Sequence, residues 1–333
     1  MDRILVIRGG AIGDFILTLP ALKALRDTYP DAHIEILGYK HIAVLAENRF
    51  YAQAVRSIEY GPLSSFFAKN SEISVELRDY FASFDLIISY LYDPDQIFEE
   101  NLRRCGVANL FCGPPKIVEK SGHAARQLAR PIEQLGITVA DLSEKIFPSI
   151  EDREFAHEFL RNLSRPVVAI HPGSGGTEKN WPLQNWIELV STIQGLSAAE
   201  DESGRKGKRP SVVVVSGEAD EAQSAQLERD WKYRDLRFAK NLQLPHLAAV
   251  LGHTIFVGHD SGVSHLAAAA RANCILLFGP TNPNVWAPRN ENVRVLRPQS
   301  GRLYDLDLAQ VRIAVTTALR AEGSQKDLDF PRP

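Results

Sequence analysis

The sequence predicts an α/β protein with two domains, each built on a parallel sheet covered by helices. The chain has 333 residues, more than one hydrophobic core usually serves, so about two domains are expected. Short apolar runs alternate with helical segments in the first half, which is typical of parallel βα units. The same alternation starts again in the second half. We therefore expect two Rossmann-like domains in tandem, at 1–150 and 165–320, with a linker at 151–164 and a tail at 321–333.

Five short strands and two helices are predicted in the first domain. Apolar residues recur at helical spacing over Phe15–Tyr29, and a second helix, Ala124–Leu135, ends before Gly136. The predicted strands are Arg3–Arg8, Ala32–Gly38, Ala54–Glu59, Asp85–Tyr90 and Asn109–Gly113.

The second domain repeats this plan after a helix at Asp152–Leu163 and a break at Arg165-Pro166. The polar segment Ser197–Pro210 is predicted to be a mobile loop, because it has almost no large apolar residues. The predicted strands are Val167–Ile170, Ser211–Ser216, Ile255–Val257 and Cys274–Phe278, and the predicted helices are Leu183–Leu196, Glu221–Trp231 and Val263–Ala270.

Composition excludes several classes of protein. Hydrophobic residues make up 44% and charged residues 24% of the chain, as in a folded soluble protein. The net charge of -3 gives no basic surface for nucleic acid. No apolar run approaches the roughly 20 residues of a membrane span. The odd number of cysteines, 3, favours a reducing, cytosolic compartment, with all of them as buried apolar side chains.

A glycine-rich turn, Gly9–Asp14, follows the first predicted strand. In an open parallel sheet such a turn lies at the carboxyl edge, where ligands bind. The glycines do not have the dinucleotide-binding spacing, and no acidic residue ends the second strand at Gly38, so NAD is not expected. Asp14 either caps the following helix or points a carboxylate into a cleft as a general base.

A second glycine-rich turn, His171–Lys179, follows the first strand of the second domain. The glycines, among them Gly173, allow backbone amides to converge on an oxyanion, and Ser174, Thr177 and Lys179 add hydroxyl donors and a positive charge. This composition is typical of a phosphate site, although a purely structural glycine turn is the alternative. The Walker A pattern is absent.

Another anion site is predicted where the strand ending at Val257 meets the helix that starts near Val263. The amides around Ser261 and Gly262 lie at a helix N-terminus, which favours negative charge. His265 could donate to the same anion or simply face the helix side, and Asp260 could cap the helix. Thr281, after the next strand, is a further candidate phosphate ligand.

An acidic segment follows strand Ser211–Ser216. A carboxylate there could accept hydrogen bonds from ribose hydroxyls or a base amine. Glu221 is preferred to Glu218, with the electrostatics of a helix start as the equal alternative.

Together these segments resemble the ADP-heptose:lipopolysaccharide heptosyltransferases of glycosyltransferase family 9. The resemblance covers both domains, and the order and spacing of its motifs make it specific. It implies the GT-B fold, in which two Rossmann-like domains with parallel sheets face each other across a cleft. The motifs are I-G-D with P-A-L (Ile12–Leu22), H-P-G-S with K-x-W-P (His171–Pro182), D-S-G-x-S-H-L (Asp260–Leu266) and F-G-P-T (Phe278–Thr281).

The resemblance implies inverting transfer of a heptose from ADP-heptose to a hydroxyl of a lipopolysaccharide inner-core acceptor. It makes Asp14 the general base. It also implies no metal and no other cofactor, because fixed cations and helix amides would stabilise the departing ADP. The predicted donor-binding residues are Gly173, Ser174, Thr177, Lys179, Glu221, Asp260, Ser261, Gly262, His265 and Thr281.

The implied acceptor is an anionic glycolipid, and cations of the first domain should bind it. The enzyme would then be cytoplasmic, or peripheral at the inner face of the inner membrane. The alternative is that these cations lie on solvated helix faces and bind no ligand. The predicted acceptor-binding residues are Gly13, Arg103, Lys116, Lys120 and Arg126.

Three other functions remain compatible with the sequence. A related GT-B enzyme could use another nucleotide sugar as donor. An epimerase of similar fold would process the donor without an acceptor, and a catalytically silent protein would only bind it. The presence of Asp14 argues against the silent protein.

Overall fold

A computed structural model describes residues 1–114, 116–174, 176–196, 209–217, 228–229 and 236–322, with Thr177 described in its backbone alone. The chain divides into two compact units, Met1–Glu144 and Lys145–Pro333. Most of the predicted loop Ser197–Pro210 and of the predicted helix Glu221–Trp231 lies outside the described residues, as does the tail beyond Glu322.

The first unit contains a five-stranded parallel sheet in the order β3-β2-β1-β4-β5. Its central strand is fully buried from Ile4 to Ile7, because helices cover both faces of the sheet. The strands are β1 (Arg3–Arg8), β2 (His33–Gly38), β3 (Ala54–Ser57), β4 (Leu86–Ser89) and β5 (Leu110–Cys112). The α-helices are α1 (Ile12–Thr28), α2 (Lys40–Ala43), α3 (Val75–Ala82), α4 (Ile97–Arg104) and α5 (Ala124–Glu133), and 3-10 turns cover Gly61–Phe67 and Glu119–Ser121.

The second unit contains a six-stranded parallel sheet in the order β11-β10-β9-β6-β7-β8. Trp181 and Trp186 are fully buried in its core, packed against the apolar side chains of β6, β7 and β9. The strands are β6 (Val167–His171), β7 (Ser211–Ser216), β8 (Leu236–Lys240), β9 (Ile255–His259), β10 (Asn273–Leu277) and β11 (Val293–Leu296). The α-helices are α6 (Ile150–Leu160), α7 (Leu183–Gly195), α8 (Leu244–Leu251), α9 (Gly262–Ala269), α10 (Pro283–Trp286) and α11 (Leu308–Glu322), and 3-10 turns cover Thr177–Lys179 and Leu303–Asp305.

The prediction of two domains of parallel sheet is confirmed, and the boundary between them lies earlier than expected. The second unit begins at Lys145, where the Ile146 amide donates to the Ala269 carbonyl oxygen at 3.0 Å. The segment predicted as a linker, 151–164, is mostly helix α6. This helix packs in the second unit, with the ring of Phe155 stacked on that of His246 at 4.1 Å between centroids.

Both sheets have a switch in strand order at their centre. In the first unit β1 lies between β2 and β4, and in the second β6 lies between β7 and β9. In open parallel sheets, ligands bind beyond the carboxyl ends of the strands at such a point. The turns after β1, β6 and β9 are the glycine-rich segments that the sequence singles out, so the fold brings each to a position suited to binding.

Candidate functional site

Asp14 lies in the first turn of α1, directly after the turn that follows β1. This helix begins at Ile12, before the predicted start at Phe15, so that Gly13 is also helical. Asp14 Oδ2 accepts a hydrogen bond from the Ala11 amide at 3.0 Å, and this capping contact explains the earlier start. The side chain is still 39% exposed. The carboxylate therefore caps the helix with one oxygen and remains accessible.

Arg8, at the end of β1, holds this carboxylate in place and was not predicted as a site residue. Its Nη2 atom donates to the Asp14 carbonyl oxygen at 2.8 Å and lies 3.8 Å from Asp14 Oδ1. Its Nε atom donates to Thr18 Oγ1 at 3.0 Å. Burial lowers the pKa of Arg8, while Asp14 and Tyr90 act in the opposite direction. The available sequence signal was a basic residue that ends an apolar strand just before a glycine turn.

The turn itself depends on Gly10, which leads to a stability prediction. Gly10 has φ +95°, and a Cβ atom there would lie 2.9 Å from Asp14 Oδ2. Gly10→Ala should lower the free energy of unfolding by about 1–3 kcal/mol, because of backbone strain and the displaced carboxylate. Gly9→Ala is the matched control, since its Cβ would meet Leu91 Cδ2 at an ordinary 3.5 Å. Urea unfolding of both variants tests this, and equal destabilisation would contradict it.

The carboxyl ends of β4 and β5 form a cavity of about 250 Å³ in the first unit. Cys112 lines it and is exposed, so the expectation that every cysteine is buried is wrong for this one; Cys105 and Cys274 are buried. Cys112 is the last residue of β5, which lies at the edge of the sheet, so a neighbouring strand covers this residue on one side only. Although Cys112 is exposed, its thiol lies against the cavity wall, where partial loss of solvent and the nearby Glu99 carboxylate, whose Oε2 lies 3.5 Å from Sγ, raise the pKa of the thiol to about 12.

The predicted acceptor-binding cations differ in how they are engaged. Arg103 forms an ion pair with Glu99 at 2.8 Å. Arg126 forms one with Glu133 at 2.7 Å and also donates to the Val139 carbonyl oxygen at 2.8 Å. Both arginines thus have partners within their own unit.

Lys116 and Lys120 are exposed, and neither pairs with a carboxylate in the part of the chain that the structure describes. Lys116 Nζ lies 5.2 Å from the centre of the Tyr92 ring. Of the predicted cations, these two are the more available to an external anion.

In the second unit, hydroxyl and backbone groups organise the turn after β6. Ser174 Oγ lies 2.8 Å from Asn180 Oδ1 and 3.0 Å from the Gly176 carbonyl oxygen, and its single hydroxyl proton can be donated to either oxygen. The backbone then forms a 3-10 turn over Thr177–Lys179. Gly173 precedes this turn, and the Thr177 side chain lies outside the described residues. Ser174 thus stabilises the turn from within, with Asn180 as a partner that sequence analysis missed.

Three predicted donor-binding residues from three different strand ends meet at one point. Lys179 Nζ forms an ion pair with Asp260 Oδ2 at 2.9 Å, and Thr281 Oγ1 donates to the same oxygen at 2.6 Å. The Lys179 side chain is 30% exposed and that of Asp260 only 10%. The ammonium group is therefore the accessible member of the pair.

The cap of α9 is Ser261, so the possibility that Asp260 caps this helix is wrong. Ser261 Oγ accepts from the Ser264 amide at 3.4 Å, whereas the Asp260 carboxylate turns to Lys179. Gly262 is the first residue of the helix. His265 is buried, and its amide donates to the Ser261 carbonyl oxygen at 3.3 Å. Glu221 and Glu218, the candidates for nucleoside recognition, lie outside the described residues.

The sequence contains Asp-x-Asp triplets, which place two carboxylates close together. They occur at 93–95, 305–307 and, beyond the described residues, 327–329, so the sequence itself does not support the expected lack of a metal. Asp93 accepts from the Glu99 amide at 2.9 Å, and Asp305 is paired with Arg302 at 2.8 Å. Across the residues with described positions, no group of three or more His, Cys, Asp or Glu residues is placed to hold a metal. Metal independence therefore stays a prediction.

Comparisons with known proteins agree with this architecture. Escherichia coli K12 lipopolysaccharide heptosyltransferase 3 is 25% identical over 308 residues, covering 84% of this chain and 83% of the relative. Lipopolysaccharide heptosyltransferase 1 of E. coli O18:K1:H7 is 23% identical over 333 residues, covering 93% and 96%. The structure of E. coli ADP-heptose LPS heptosyltransferase II superposes with a TM-score of 0.77 at 17% identity, covering 97% of this chain and 100% of that one.

The protein thus has the α/β GT-B fold, with two Rossmann-like domains in one chain. Residues 113–308 match glycosyltransferase family 9 (heptosyltransferase), and the chain belongs to that family. Both fold and family agree with the resemblance drawn from the motifs. Within the described residues, no helix has the length and apolar character needed to cross a membrane.

Proposed function

We propose that this family 9 enzyme transfers a heptose from ADP-heptose to a hydroxyl of a lipopolysaccharide inner-core acceptor, with inversion at the anomeric carbon. The relatives named lipopolysaccharide heptosyltransferase 1 and 3 support the acceptor class, since they match over most of their own length. A structural neighbour described as an ADP-heptose enzyme supports the donor.

The observation that carries the proposal is the meeting of Lys179, Asp260 and Thr281 at the switch point of the second sheet. A diphosphate placed there would contact the Lys179 ammonium group and the turn that holds Ser174. The amides that open α9, at Gly262 and its neighbours, would face the same negative charge. In this arrangement the fixed groups stabilise the charge that grows on the departing ADP. No metal is needed for that role.

Asp14 is the proposed general base. Its carboxylate takes the proton of the acceptor hydroxyl while the hydroxyl oxygen bonds to the anomeric carbon of the heptose. The bond from that carbon to the diphosphate oxygen breaks, and ADP leaves with the electron pair. Arg8 keeps the carboxylate oriented, because it binds the Asp14 backbone and lies beside Oδ1. A positioned base of this kind contributes about 10²–10⁴-fold to the rate.

The acceptor is proposed to bind the first unit as an anionic glycolipid at the inner face of the inner membrane. Lys116 and Lys120 are the cations best suited to its phosphates or carboxylates, since Arg103 and Arg126 already have acidic partners. The protein would work in the cytoplasm and meet the membrane surface only through this substrate.

Product analysis tests the reaction. Incubation with ADP-heptose and a heptose-deficient core acceptor should release ADP and add one heptose to the acceptor, and omission of the acceptor should leave the donor intact. A changed heptose without acceptor would instead identify an epimerase, and donor binding without any product a silent binding protein. Calorimetry with ADP, UDP and GDP tests the donor: tighter binding of ADP is expected, and a preference for UDP would contradict the assignment.

A further inference from the structure

The buried imidazole of His259 joins both ends of the Gly173–Trp181 turn. His259 is the last residue of β9, and its side chain has no exposed surface. The Trp181 amide donates to its Nε2 atom at 2.9 Å, and its Nδ1 atom lies 3.4 Å from the Gly173 carbonyl oxygen. A single side chain from the sheet of the second unit therefore contacts both ends of the turn, the end that follows β6 and the end that precedes α7.

These two contacts require one tautomer of the ring. Because Nε2 accepts a hydrogen bond from a backbone amide, it carries no proton. The ring proton of neutral His259 is then on Nδ1, where it can be donated to the Gly173 carbonyl oxygen. The two ring nitrogens thus hold the two ends of the turn in different ways, one as acceptor and the other as donor.

Aromatic packing holds the imidazole and the Trp181 ring in place around the hydrogen bond from the Trp181 amide to His259 Nε2. The Trp186 ring meets the His259 ring edge-on at 5.3 Å and the Trp181 ring edge-on at 5.4 Å. Trp181 Nε1 also donates to the Leu306 carbonyl oxygen at 3.0 Å. The end of the turn is therefore held by backbone and side-chain contacts together.

The held turn is the one that carries the proposed phosphate ligands. Lys179 lies just before Trp181 in the chain, and Asp260 directly follows His259, so the Lys179–Asp260 ion pair spans the same two segments. We propose that His259 is a positioning residue, which holds the Gly173–Trp181 turn in the conformation that binds the donor diphosphate. This role rests on the proposed function, since it concerns the binding of ADP-heptose.

Two substitutions separate the two contacts. In His259→Gln the side-chain oxygen can take the place of Nε2 and accept from the Trp181 amide. In His259→Asn the side-chain amide can take the place of Nδ1 and donate to Gly173, which leaves the buried Trp181 amide without its acceptor. The bond at Trp181 is the shorter of the two, so we expect it to matter more.

Calorimetry with ADP and steady-state kinetics provide the test. His259→Asn should raise the ADP Kd and the donor KM by about 10–100-fold, because the unsatisfied Trp181 amide disfavours the turn conformation that binds ADP and so lowers its population. His259→Gln should stay within about threefold of wild type, and the acceptor KM should not change in either variant. Leu251→Ala, a core truncation at the end of α8, controls for stability loss alone and should leave the ADP Kd unchanged well below its Tm.

The outcomes separate this inference from the function on which it rests. If wild type binds ADP and His259→Asn binds it equally well, the positioning role is wrong and the donor assignment stands. If wild type does not bind ADP, both are wrong. Hydrogen exchange gives a measurement independent of ligand: exchange at the Trp181 amide should be faster in His259→Asn than in wild type or His259→Gln. Equal exchange in all three would overturn the role.

Discussion

Asp14→Asn should slow heptose transfer by orders of magnitude while ADP binding persists. The substituted amide cannot take a proton from the acceptor hydroxyl, so we expect kcat to fall by about 10²–10⁴-fold. The fold should survive, because the side-chain oxygen of asparagine can still accept from the Ala11 amide, as Asp14 Oδ2 does at 3.0 Å. Kinetics with ADP-heptose and acceptor measure the loss, and calorimetry with ADP measures the retained affinity.

The control for this variant is Asp27→Asn, the same change near the end of the same helix. Asp27 is exposed and pairs with Lys23 at 2.6 Å, so its loss should leave kcat within about twofold of wild type, as for most surface changes. If Asp14→Asn retained transfer at a rate close to that of this control, Asp14 would not be the base.

Lys179→Ala should weaken donor binding by about 10–100-fold in both the ADP Kd and the donor KM. A charge-assisted contact to phosphate is typically worth about 1.5–3 kcal/mol. The substitution also leaves the Asp260 carboxylate, which is only 10% exposed, without its cation and near the incoming diphosphate. The acceptor KM should not change, because the acceptor is assigned to the other unit. Steady-state kinetics with each substrate varied in turn measure the difference.

Two further variants make this prediction specific. Lys240→Ala removes an exposed lysine of the same unit, paired with Glu228 at 2.6 Å, and should have no effect on ADP binding. Adding Asp260→Asn to Lys179→Ala should recover part of the lost affinity, because the unpaired carboxylate is gone. Unchanged ADP affinity in Lys179→Ala would show that the diphosphate lies elsewhere.

The central strands of both sheets could be predicted from sequence because they are buried on both faces and form continuous apolar runs. The strands that were missed, Leu236–Lys240 and Val293–Leu296, lie at sheet edges and carry charged residues at exposed or partly exposed positions. The helices that were missed are Lys40–Ala43, Val75–Ala82, Ile97–Arg104, Leu244–Leu251, Pro283–Trp286 and Leu308–Glu322. All but the last have only four or eight residues, too few to show a helical period. Leu308–Glu322 was missed although its buried residues Val311, Ala314, Val315, Ala318 and Leu319 recur at helical spacing.

The candidate site, too, could be predicted only in part. Lys179 and Asp260 are 81 residues apart, yet their meeting could be anticipated because the carboxyl ends of parallel strands lie at one edge of the sheet. The role of His259 could not, since its partner Trp181 is 78 residues away and its imidazole points into the core. Arg103 was predicted as a ligand cation because the helix that pairs it with Glu99 had not been recognised.

A crystal structure of the protein with ADP tests the central claim most directly. We predict that the diphosphate lies at the carboxyl ends of β6 and β9, with Lys179 Nζ within hydrogen-bonding distance of a phosphate oxygen and the amides that open α9 facing the same group. A diphosphate bound against the first unit, with Lys179 still paired only to Asp260, would contradict the account.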